Sequence, residues 1–466
     1  MTWGVLGSLL ATLLALGFAA VGETLLRRDS RDLLAWNESF LIGSGACAAL
    51  LFPLTLLTPR HALDVELCLV ALAVAVVVWR RVRRRAPQAD KTPAPWAGDL
   101  PAITDDPVAV VLLGALFSIA AFFGILNLRS GNLWDSIQVW ATKAQMLFVQ
   151  GGFTREWFPE EGYDVRLLAY PPYISFFEAA FSRLRGGFDF DRLKPIFLCL
   201  YASLLLGTFA AARTLCSRRW ALAAVLFVAL LPELTTGFAA GGYVDMPLAA
   251  FVAAVVASSL RSDGRALGWR SPLPWLLGAM TTVKQEGMVL VVIACAAIGF
   301  SWILERPRRF VARLREQAAT IAVIAAFVAT RVTYVRWTGV HDITWGPFDA
   351  EHRIRALHSL RIDASLCLRI LVSPSTWGLF WPAFFVAAAI AIARKQTRPT
   401  LVALAVAAAI GIDASVFLFT NWDIALHIEG AYARLLAQLA PAAAVVITAA
   451  AERIWSPASA PEIPAA

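Results

Sequence analysis

Twelve apolar runs, most of them close to 20 residues long, constrain this chain more than any other feature. They fall at 3–23, 39–59, 63–80, 108–126, 193–213, 219–239, 244–261, 272–304, 317–337, 372–393, 398–419 and 433–453. A helix that crosses a bilayer needs about 20 mostly apolar residues, and in lipid the backbone must satisfy its own hydrogen bonds. Of the 466 residues, 59% are hydrophobic and 16% are charged, against roughly 25% charged in soluble domains. The reading is an all-α polytopic membrane protein with about 12–14 transmembrane or membrane-embedded helices. The window 272–304 is too long for one helix and is interrupted by Lys284-Gln285-Glu286-Gly287. Two short helices are expected there, with the polar break at a membrane face.

Other classes fall away on composition. The six cysteines (Cys47, Cys68, Cys199, Cys216, Cys295 and Cys367) lie in or beside apolar runs without a CxxC pair. They read as small core residues rather than zinc ligands or a disulfide framework. The five histidines are scattered, so no metal-ligand spacing exists. A formal charge of +8 is no sign of nucleic acid here, because basic residues in a membrane chain mostly report orientation. Glu23, Arg27 and Arg28 follow the first run, which therefore reads as a retained, anchor-like helix.

Arg80, Arg81, Arg83, Arg84, Arg85 and Lys91 mark one loop as cytoplasmic by the positive-inside rule. The clusters at 261–270, 306–315 and 394–398 read the same way. Counting spans from these places Asp135, Asp245, Lys284, the 338–371 loop and His427 together on the outer face. The stretch 171–216 resists this bookkeeping, since basic residues on both sides of its second apolar run favour the inside. The reading makes 171–185, which opens on Pro171-Pro172, the segment that does not cross. By composition the chain divides into an N-terminal transmembrane appendage (1–85), a Pro- and Ala-rich cytoplasmic linker (86–107), a membrane catalytic domain (108–455) and a disordered tail (456–466).

Ionisable groups at a membrane face are costly to keep, which makes each polar break a candidate site. In Trp134–Phe148, apolar Trp134, Ile137, Ala141, Ala144 and Phe148 alternate with polar Asp135, Gln138, Thr142 and Gln145. This spacing predicts an amphipathic helix lying in the interface, in the first large outer loop. Asp135 reads either as its N-cap or as a general base. Tyr170-Pro171-Pro172-Tyr173 is a helix start that could also shape a cavity mouth. Asp245, after Gly241-Gly242-Tyr243, reads as a cap, or as a carboxylate that positions an acceptor or steadies a cationic partner. Lys284, beside Glu286, reads as one half of an ion pair or as a phosphate ligand. Arg434 suits bidentate phosphate binding, and His427 alone carries little weight.

Taken in order, four motifs resemble those of bacterial GT-C-type glycosyltransferases. They are the Trp134-Asp135 loop with Lys143, the Tyr-Pro-Pro helix, Gly242-Tyr243-Val244-Asp245-Met246-Pro247, and Lys284-Gln285-Glu286-Gly287. The nearest likeness is to the group of dolichyl-phosphate-mannose protein mannosyltransferases and lipid A aminoarabinose transferases. The ending His427, Arg434, Gln438 and Pro441 is similar to that of uncharacterised bacterial members. The resemblance covers roughly 108–445. It implies a GT-C-like fold and an essential acid in the first outer loop, here Asp135. It further implies a polyprenyl-phosphate sugar donor and transfer at the outer face of the bacterial cytoplasmic membrane, usually with inversion. Asp135 is followed by Ser136 where many members have a second acid, so a divalent metal stays open and no cofactor is certain.

On this reading Asp135 takes the proton of the attacking hydroxyl, oriented by Gln138. Lys284 and Arg434 meet the charge developing on the phosphate, with His427 and Lys143 as secondary cations. Tyr170, Asp245 and Glu286 complete the substrate-binding set. The expected partners are the lipid donor, an unspecified acceptor and the bilayer, and not nucleic acid. The competing reading is a transporter or lipid flippase, which places ionisable residues at the midplane in broken helices.

Overall fold

Each apolar run becomes helix, and the breaks follow local chemistry. The computed structural model describes residues 2–27, 32–83, 106–155, 170–262, 268–305, 310–339 and 350–455. The expected linker 86–107, apart from its last two residues, and the tail 456–466 lie outside them. The helices run α1 (Thr2–Leu26), α2 (Leu33–Leu57), α3 (Ala62–Arg83), α4 (Pro107–Arg129), α5 (Thr142–Gln150), α6 (Tyr173–Arg185) and α7 (Pro195–Arg213). They continue with α8 (Arg218–Ala229), α9 (Pro232–Thr235), α10 (Asp245–Arg261), α11 (Pro272–Met280), α12 (Glu286–Glu305), α13 (Phe310–Glu316) and α14 (Ala318–Thr338). The last are α15 (Ala350–Leu371), α16 (Pro374–Trp377), α17 (Phe380–Ala393), α18 (Thr397–Val416) and α19 (Ile424–Trp455). No β-strand occurs among the described residues.

Among the described residues, nine helices are long and apolar enough to cross a membrane, or ten if the pair bent by 110° near Gly378 counts as one more. The chain is a multi-pass membrane protein. Starts are chemically marked: Asp32 accepts from Ala35 N–H at 2.6 Å to cap α2, and Asp106 caps α4 just before Pro107. α1 and α2 cross at backbone contact. A Cβ on Gly43 would sit 1.8 Å from the Phe18 carbonyl oxygen, and one on Gly22 would sit 2.0 Å from that of Ser39. Small residues at a crossing allow this approach. α1 and α2 also pack on α6 and α7, and α2 on α11 and α14, so the segment 1–85 shares one core with the body.

Several expected boundaries move. Pro232 ends the 219–239 window early, leaving α8 short and residues 230–244 as a turn-rich connection outside the spanning helices. The window 272–304 breaks at 281–285 as expected, but its second half, α12, is a full 20 residues. The expected 338–371 loop contains the 22-residue helix α15. The expected interfacial helix is different in kind. Ser136–Ala141 is a π-helical turn, continued by α5, and the buried residues are Ser136, Val139, Trp140, Ala141, Lys143, Ala144 and Leu147. This segment packs against α6 inside the protein while Trp134 is exposed. The reason is Lys143: its ammonium donates to the Tyr170 carbonyl at 2.9 Å and lies 5.4 Å from the Trp140 ring, so it turns inward.

Polar contacts fix two opposite ends. At one end Arg81 pairs with Glu23, Arg261 with Glu38 and Arg219 with Asp106, and Glu452 accepts from Ser217 N–H. These are the basic turns. At the other end Arg183 forks onto Asp64 (2.7 and 2.8 Å), and Lys194 donates to the carbonyls of Gly131 and Ala240. Within 171–216, the segment holding α7 is long and apolar enough to cross a membrane, and the 13-residue α6 is not. Arg183 and Lys194 lie at the end opposite the basic turns, where their charges meet local acceptors.

Candidate functional site

Two loops are stitched together at the end opposite the basic turns. Leu133 N–H donates to Gly241 O at 3.1 Å, and Ser130 Oγ–H to Ala240 O at 2.9 Å. Two glycines permit it. A Cβ on Gly241 would lie 2.3 Å from Leu133 Cδ1, and Gly242, at φ +85°, would place one 2.5 Å from Ser136 Oγ. This sets Asp135, just past α4, beside Asp245, the first residue of α10. The Asp135 N–H reaches Tyr243 Oη at 3.4 Å. α12 is brought close in the same way: a Cβ on Gly287 would stand 2.2 Å from Met280 O, where the broken helix folds back.

A chain of charges joins these segments. Arg434 of α19 donates through Nη1 to Asp135 Oδ2 at 2.8 Å and through Nε to Asp245 Oδ2 at 2.9 Å. Asp245 Oδ1 accepts from Lys284 Nζ at 2.9 Å and from Gln438 Nε2 at 2.7 Å, and Lys284 also pairs with Glu286 at 2.8 Å. The Arg434 guanidinium lies 4.2 Å from the Tyr243 ring centre and 5.3 Å from that of Phe238. Planar guanidinium suits both the forked pairing and the aromatic walls. Asp245 and Lys284 are almost wholly buried, while the Asp135 side chain keeps 23% of its surface exposed. Burial and the nearby Asp135 charge push the Tyr243 phenol above its ordinary value. The cap readings thereby resolve. The Asp135 side chain makes no capping bond, and the Asp245 carboxylate serves side chains of α12's approach and α19.

Asp135, Asp245, Lys284, Glu286 and Arg434 therefore meet. Among the described residues, the other expected site residues lie outside this chain of contacts. Gln138 is half-buried on the π-helical turn. Lys143 and Tyr170 hold each other as described, and His427 Nδ1 is 2.7 Å from Thr420 Oγ1 with its ring against Phe417. Gln438 joins because it lies one helical turn after Arg434, on the same face. Phe238, Glu233 and Asp413 are further neighbours. Asp413, a lone buried acid in the apolar run of α18, was the one with a sequence signal. No three His, Cys, Asp or Glu side chains gather with metal-ligand spacing among the described residues. Asp135, Asp245 and Glu286 are each already held by lysine or arginine.

Compared with known proteins, the chain matches no family model, no curated protein and no solved structure.

Proposed function

We propose that this protein is a glycosyltransferase of GT-C type. It would move a sugar from a polyprenyl-phosphate donor to an acceptor at the outer face of a bacterial cytoplasmic membrane. The observation that carries the reading is the meeting of Asp135, Asp245, Lys284 and Arg434, drawn from segments as far apart as positions 135 and 434, at one end of the bundle. A partly exposed carboxylate there can take the proton of an attacking hydroxyl, and the two cations stand where phosphate charge would develop.

An apolar cavity of about 550 Å³ between α10, α12, α18 and α19 supports the lipid part of the reading. At one end its lining residues Met280, Leu290 and Ala409 lie four residues from Lys284, Glu286 and Asp413 and Leu439 adjoins Gln438, and at the other end the lining reaches Arg398. Small residues such as Ala294, Ala297 and Ala405 leave the space between facing helices. A prenyl chain seated there gains about 0.8 kcal/mol per buried methylene. The charges impose a condition on the mechanism. Asp135, Asp245 and Glu286 against Lys284 and Arg434 sum to one excess negative charge. A bound phosphate must therefore share Arg434 with Asp135, which frees that carboxylate to act as a base.

The break between α11 and α12 and the buried Asp413 favour a second reading, an ion-coupled transporter. One assay separates the two. Purified protein is incubated with radiolabelled polyprenyl-phosphate sugars, and loss of label from the lipid is scored. Transfer by the wild type, abolished in Asp135→Asn without a change in unfolding temperature, supports the enzyme. Undiminished turnover by Asp135→Asn defeats the assignment.

A further inference from the structure

Beside the Arg434 cage stands an acid that takes no part in the ion-pair chain. Glu233 lies on the single turn α9, which packs against α8 and α19. The Pro232 carbonyl accepts from Thr236 N–H at 2.9 Å and Gly237 N–H at 2.7 Å, which curls the turn so that Phe238 follows onto Arg434. The Glu233 carboxyl is folded beneath it: a Cβ on Gly237 would meet Glu233 Oε2 at 3.5 Å. That oxygen is buried and has no hydrogen-bond partner, an arrangement that costs free energy unless something fills it. Two charges act on the group, Asp245 from α10 and Arg434 from α19. The charged residues of α8, Arg218 and Arg219, open that helix at the opposite end, and Asp135 and Tyr243 also contact Arg434.

We propose that Glu233 stands in the site as a neutral carboxylic acid and donates its O–H to the phosphate of a lipid substrate arriving beside Arg434. The inference rests on the lipid-phosphate reading above and names a residue that completes its anion subsite. The five paired groups already carry an excess negative charge, so an ionised Glu233 would repel an entering phosphate. A protonated one adds an uncharged donor beside the N–H groups of Arg434. Burial first, and then the Asp245 charge, raise the Glu233 carboxyl above the ordinary carboxylate range, with Arg434 opposing. The sign follows: anion binding is strongest while the acid is protonated and is lost as pH rises through its raised value.

The test uses the full-length protein in detergent and farnesyl methyl phosphate, a phosphodiester whose single charge does not titrate in the range used. Affinity is measured by calorimetry at pH 5 and at pH 9. Wild type should weaken by about tenfold or more across this range. Glu233→Gln, which keeps a donor at every pH, should bind with little pH dependence and at pH 9 more tightly than wild type. Glu233→Asp should retain the pH dependence at reduced affinity. A Glu233→Gln variant with the wild-type pH dependence overturns the assignment. Wild-type binding that is equal at both pH values overturns it too, while leaving the lipid-phosphate reading standing. Absence of binding by wild type at either pH overturns both.

Discussion

Asp245 and Lys284 offer the sharpest energetic test, because their pairing is close, buried and shared. The two side chains are 3% and 7% exposed at a separation of 2.9 Å. At an effective dielectric constant near 20 the Coulomb attraction is about 6 kcal/mol, most of it offset by the desolvation of two charges. Removing one partner of a buried pair typically costs about 3–5 kcal/mol. Lys284→Met belongs at the low end, about 3 kcal/mol, since Arg434 and Gln438 continue to hold Asp245. Asp245→Asn leaves Lys284 on Glu286 and Arg434 on Asp135, and should cost a similar amount. The double variant loses the pair once, so its cost should fall short of the sum by about 2 kcal/mol, within the range for residues in contact. The assay is equilibrium unfolding in mixed micelles, followed by helical circular dichroism, over all four members of the cycle. Additivity to within about 0.5 kcal/mol would refute the buried pair.

Two further outcomes bear on the fold and the cavity. Gly43→Leu should destabilise the protein by more than about 3 kcal/mol and lower its unfolding temperature, because even a Cβ would overlap the Phe18 carbonyl. A fully stable variant contradicts the close crossing of α1 and α2. Ala405→Trp should fill the cavity between α12 and α18 and weaken binding of prenyl phosphates at least tenfold while sparing water-soluble phosphate, which an isothermal titration would resolve.

The long apolar runs were legible because lipid demands length and continuity, and neither depends on tertiary context. Pro232 and Gly378 were harder to weigh, since a proline or glycine in an apolar run can kink, end or simply sit in a helix. Along 134–148, Ala141 and Ala144 are buried as their spacing has it, and the departures at Trp134 and Lys143 have a physical reason. Helical spacing assigns apolar residues inward, whereas Lys143 found a carbonyl and an aromatic ring and Trp134 remained exposed. The site acids and cations stood out as polar interruptions, and their joint location followed from counting crossings. The pairings did not follow, because Arg434, Asp245 and Lys284 are joined only by how α10, α12 and α19 pack. Glu233 was invisible in sequence, being one acid among turn residues whose setting comes from α19.

The most direct measurement is single-cysteine accessibility in a background lacking the six native cysteines. Leu133→Cys and Trp422→Cys flank the site, and Trp79→Cys and Ile454→Cys lie at the basic end, all at exposed positions. A membrane-impermeant maleimide applied to sealed vesicles of known orientation should label Leu133→Cys and Trp422→Cys from one side. Trp79→Cys and Ile454→Cys should react only from the other. Labelling of Leu133→Cys and Trp422→Cys from opposite sides would contradict a single site assembled at one end of the helix bundle.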